Sequence, residues 1–77
     1  MKLNKRFVQT QYEHTCNGNV YEFGFYYGGN GFFACNGELT EPDSFMQELG
    51  IRLNGKTPTI KNMVKAIINT LYADLPF

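Results

Sequence analysis

Histidine and cysteine are scarce in this chain, one and two in 77 residues, and the scarcity removes several kinds of chemistry. A lone His14 with no Cys-x-x-Cys spacing does not make a zinc site. Asp43 lacks the regularly spaced acidic partners of a calcium loop. His14 and Cys16 stand two positions apart on one expected strand, about 6.6 Å by strand rise. That exceeds the hydrogen-bond reach of about 3 Å that a nucleophile and its base need. No paired carboxylates complete a general acid–base set. The glycines at 28, 29 and 31 are not followed by Gly-Lys-Ser/Thr or by a helix, so they read as a hairpin turn rather than a phosphate cradle. The expectation is a protein that is not an enzyme, with no catalytic residues, no cofactor and no metal.

Long apolar runs are also missing. No stretch approaches the roughly 18 residues of a membrane span. The opening MKLNKRFVQTQ has no apolar core of a signal peptide. The chain is therefore expected in the cytoplasm, away from membranes, with Cys16 and Cys35 as free, buried thiols in a reducing compartment.

Positive charge is absent from the middle. Seven Lys and Arg balance seven Asp and Glu, so net charge gives no global pull toward nucleic acid or membrane. Lys2, Lys5 and Arg6 open the chain, and Arg52, Lys56, Lys61 and Lys65 come late. Between them lie Glu13, Glu22, Glu38, Glu41, Asp43 and Glu48 with no cation. The acidic middle and basic end are expected to attract each other within one fold.

What the chain does contain is apolar and aromatic: 43% hydrophobic residues and 16% aromatic. That suffices for a core, and the length suits one domain over residues 1–77. Arg6 to Cys16 alternates as a strand, with Val8, Tyr12 and His14 on one face. Val20 to Tyr27 is a second strand whose Tyr21, Phe23, Phe25 and Tyr27 share a face. A turn at Gly18-Asn19 is preferred to one at Asn17-Gly18, because the latter opposes Glu13 and Glu22. A three-residue loop at Gly29–Gly31 then leads into a third strand, pairing Tyr27 with Phe33 and Tyr21 with Leu39. Each cysteine opens a Cys-Asn-Gly tripeptide, which marks a strand end running into a turn.

Two helices follow. Thr40 is the expected N-cap of the first, with Phe45, Met46 and Leu49 on its apolar side and Gly50 closing it. Ile51–Leu53 is too short to count as a further strand. Thr57 is the expected N-cap of the second, with Pro58 at its first position. Ile60, Met63, Val64, Ile67, Ile68, Leu71, Tyr72 and Leu75 then keep helical spacing. Their burial contributes about 12–24 kcal/mol as an upper bound. The expected fold is α+β: a three-stranded antiparallel meander with a short helix and a long C-terminal amphipathic helix on one face.

Function is then expected from surfaces. Phe7, Tyr26 and Phe32 lie on the face away from the helices, where aromatics rimmed by polar residues resemble an interaction patch. Glu38, Glu41, Asp43 and Glu48 form an acidic segment able to enter a basic groove. Both features point to docking on another protein as a regulator, inhibitor or subunit, and the aromatic patch also suits homodimerisation. The alternative is nucleic-acid binding through Arg52, Lys56, Lys61 and Lys65, a modest phosphate patch. The sheet itself is a poor base-stacking platform, because acids rather than cations surround it.

Overall fold

The computed structural model describes residues 1–72. Its elements in order are β1 (Val8–Cys16), β2 (Asn19–Tyr26), β3 (Gly31–Cys35), β4 (Glu38–Leu39), α1 (Asp43–Leu49) and α2 (Ile60–Leu71), with a 3-10 turn at Lys5–Phe7 ahead of β1. The strands lie in sequence order in one antiparallel sheet. The α+β class with two helices holds, and the strand count is corrected from three to four. The added strand follows from the second Cys-Asn-Gly. Asn36 and Gly37 both take positive φ (51° and 85°), which folds Glu38–Leu39 back onto β3.

The first turn is Asn17-Gly18, with φ of 52° and 80°. Cys16 therefore pairs with Asn19 and Glu13 with Glu22, the register the like-charge rule disfavours. Two effects outweigh the repulsion. Asn-Gly suits a turn that needs two left-handed residues better than Gly-Asn does. Glu22 is also neutralised from outside the hairpin: Lys5 Nζ lies 3.1 Å from its carboxylate, and Gln11 Nε2 donates to the same oxygen.

The second turn has the expected three-residue form but sits two residues earlier, at Tyr27–Gly29. Tyr26 N–H donates to the Asn30 carbonyl, and Gly29, at φ 91°, donates to the Tyr26 carbonyl. Phe23 pairs with Phe33 and Tyr21 with Cys35, not Leu39. An even shift leaves Tyr21, Phe23, Phe25, Phe33 and Cys35 on their expected face. The cause lies at Gly31, which must be inside the strand. An added Cβ there would stand 2.8 Å from the Lys61 Cα, because the start of α2 rests directly on it. Tyr27 consequently leaves the core stripe and is 65% exposed. Leu39 pairs with Ala34 on the opposite face, and Val8, beside an irregularity in β1, pairs with Tyr26 and is not in the core.

The cysteines are unpaired, as expected, but half-buried rather than buried. Their strand positions place them about 12 Å apart, beyond the roughly 7 Å a disulfide tolerates.

Both helices start later than the sequence suggests. The Thr40 N–H is still bonded to the Phe33 carbonyl, so α1 begins behind Pro42, which gives no side-chain cap. Gly50 closes α1 at φ 71°, and Ile51 N–H reaches back to the Met46 carbonyl. The N-cap of α2 is Thr59, whose Oγ1 accepts from Asn62 N–H, while Asn62 Nδ2 donates to the Thr57 carbonyl. Helix α2 ends at Leu71; Leu75 and Pro76 lie outside the described residues. Its Met63, Val64, Ile67 and Ile68 join Phe23, Phe33, Phe45 and Met46 in the core. Tyr72 anchors the end of α2 to β1, its hydroxyl donating to the Glu13 carbonyl at 2.7 Å. His14 meets the edge of the Phe45 ring at 6.0 Å, a packing role at the sheet end.

The N-terminal segment forms a third layer. Lys2 bridges to Glu38, and Leu3 N–H donates to the Gly37 carbonyl, so the chain begins beside β4. It must reach β1 at the far edge, and Lys5 meets Glu22, which faces away from the core. Residues 4–7 thus cross the outer face of the sheet and cover it.

Candidate functional site

The strap formed by residues 4–7 decides what the outer face can offer. Phe32 is 2% exposed and Ala34 is fully buried, although neither faces the helices. This corrects Phe32 as an exposed contact residue: residues 4–7 cross the face where open solvent was expected. Tyr26 packs on Phe32 with ring centroids 5.1 Å apart and is itself half-buried.

The aromatics left in solvent converge on one corner. Phe7 is 55% exposed, and its carbonyl accepts from the N–H of Tyr27, the other exposed aromatic. Arg6 sits over the Phe7 ring at 5.8 Å. Phe7, Tyr26 and Met1 wall a hollow of about 340 Å³ rimmed by Lys2, Asn4 and Asn30. Of the residues expected for this patch, Phe7 and Tyr26 are in place, and Tyr27 is the member sequence reasoning missed. The signal was its proximity to Gly28-Gly29: alternation was carried one residue past the strand end.

The acidic segment is dispersed. Glu38 lies 3.3 Å from the Met1 amino group. Glu41 lines an outer hollow with Tyr26 and Phe32, and Asp43 faces a cavity shared with Arg52. Glu48 is held by Asn17 Nδ2 at 3.5 Å. These four carboxylates do not form one face.

The four late cations behave differently. Arg52 and Lys56, on the loop before α2, line a hollow of about 440 Å³ with Asn62 and Asn69 of that helix. Lys65 lines a second hollow with Phe25, Ile68 and the same Asn69, and Lys61 lies one helical turn before Lys65. None of the four has an ion-pair partner among the described residues.

No helix among the described residues is long and apolar enough to cross a membrane. No protein-family model, curated protein or solved structure matches the chain.

Proposed function

We propose that this chain is a small, non-enzymatic docking module that engages another protein through Phe7, Tyr26 and Tyr27. The supporting observation is the convergence of the exposed aromatics Phe7 and Tyr27 at one corner, over a base made rigid by the Tyr26–Phe32 contact. Aromatic and Met side chains are enriched in interface cores, and a polar rim such as Lys2, Asn4 and Asn30 is the usual surround. The acids contribute locally, not as a DNA-like array, because they are spread over separate surfaces.

The test is the double variant Phe7→Ser/Tyr27→Ser. Both side chains are largely solvated, so its melting curve should stay within about 1 kcal/mol of the parent. Pull-down from the native host, read against the parent protein, should lose the specific partner. Light scattering on both proteins separates self-association from a foreign partner. An unchanged partner set together with unchanged mass rejects the corner as the docking site.

A further inference from the structure

We propose that the solvent face of α2 binds single-stranded nucleic acid, with Arg52, Lys56, Lys61 and Lys65 on the phosphates and one base against Phe25 beside Asn69. Its two hollows are lined by none of Phe7, Tyr26 and Tyr27, so neither proposal depends on the other.

Charge placement comes first. Four cations with no ion-pair partner among the described residues stand around one helix, while Glu13 and Glu22 lie on β1 and β2, Glu38 near Met1 and Glu48 near Asn17. Asp43 shares a cavity with Arg52 on the α1 side of the loop, and Glu41 lines a hollow with Ile60 at the start of α2. Neither acid lines the Arg52/Lys56 hollow or the Lys65/Phe25 hollow, and cations placed in that way fit a phosphate backbone.

The hollows supply the rest. Asn69 lines both, standing between the Arg52/Lys56 hollow and the Lys65/Phe25 hollow on the helix surface. The second, about 260 Å³, falls below the roughly 300–1,000 Å³ of drug-sized pockets and suits a single planar ring. Its half-buried Phe25 offers an aromatic wall, and the Asn69 amide both donates and accepts. Aromatic wall plus flanking cations is the single-strand combination. Duplex bases stay stacked and do not reach a recessed ring.

Fluorescence polarisation with a short labelled oligothymidylate tests this. Binding at low salt should weaken with a log–log salt slope of about −3, for four phosphate contacts on a single strand. Lys61→Glu/Lys65→Glu should lower affinity about tenfold or more with an unchanged melting curve. Phe25→Leu keeps apolar bulk but removes the ring, and should lose about tenfold while leaving the slope intact. An abasic strand of equal length should bind the parent as weakly as the oligothymidylate binds Phe25→Leu. Absence of binding at low salt overturns the proposal. So does equal affinity for duplex, abasic and intact single strands, which reduces the face to a phosphate patch without base recognition.

Discussion

Gly24→Ala is expected to lower the melting temperature by about 12–24 °C, the shift that about 3 kcal/mol produces in a domain of this size. The reason is local. β1 carries a register shift between Val8 and Thr10, and beside it the Thr10 carbonyl stands where a Gly24 side chain would begin. A Cβ built there would lie 1.9 Å from that oxygen. No side chain can rotate away, because the obstacle is backbone. The methyl must part β1 from β2 or shift the irregularity, and overpacking of that kind sits at or above the top of the usual 1–3 kcal/mol range. Total stability for such a chain is only about 4–12 kcal/mol. A melt followed by circular dichroism decides the matter, and an unshifted transition contradicts the close approach.

The second large effect concerns Phe32. Truncation to alanine is expected to cost about 3–5 kcal/mol, the range for a buried phenylalanine. The sequence alone places Phe32 among the exposed aromatics, where such a change would cost little. The two views differ by enough to be read from a single chemical denaturation curve. A large loss supports the strap as a packed layer. A change under about 1 kcal/mol means that residues 4–7 do not cover the sheet. The contrast with Phe7→Ser/Tyr27→Ser is part of the prediction. The three aromatics divide into a support whose loss strongly destabilises the protein and contacts whose loss leaves it folded.

Much of the fold was legible because it is local. The 3.6-residue spacing of α2 identifies its buried side, since each of Met63, Val64, Ile67 and Ile68 is set by neighbours three and four residues away. The alternation of β1 beyond Val8 and of β2 fixes their faces, and face assignments survive an even shift of register. What was not legible depends on distant partners. The choice between two hairpin registers turned on Glu22, whose charge is balanced by Lys5, seventeen positions away and outside the hairpin. The sequence shows in the strap only opening charges, with Arg6 and Phe7 read into the first strand, because its grip is made of backbone bonds and two ion pairs rather than an apolar periodicity. With the strap unseen, Phe32 had no cover, and the candidate patch was drawn one residue wrong on each side: Phe32 included, Tyr27 left out. The four late cations were named from sequence, but the meeting of Arg52 and Lys56 with Asn69 required the loop before α2 to fold against the helix.

The bond from Tyr72 to Glu13 has a consequence for how copies of this chain coexist in solution. At one end of the sheet, Lys2 already occupies the outer side of β4. At the other, β1 is a nine-residue edge. The two-residue turn sets Cys16 and Asn19 as a hydrogen-bonded pair, so Gln11, Glu13 and Thr15 direct their backbone groups away from β2. Such a row is a template on which a stray strand can lengthen the sheet without limit. Tyr72 occupies the middle of it, and a newcomer must first evict the end of α2. Cohesion of that last helical turn is thus also resistance to aggregation, and a protein whose helix end frays should precipitate before it melts.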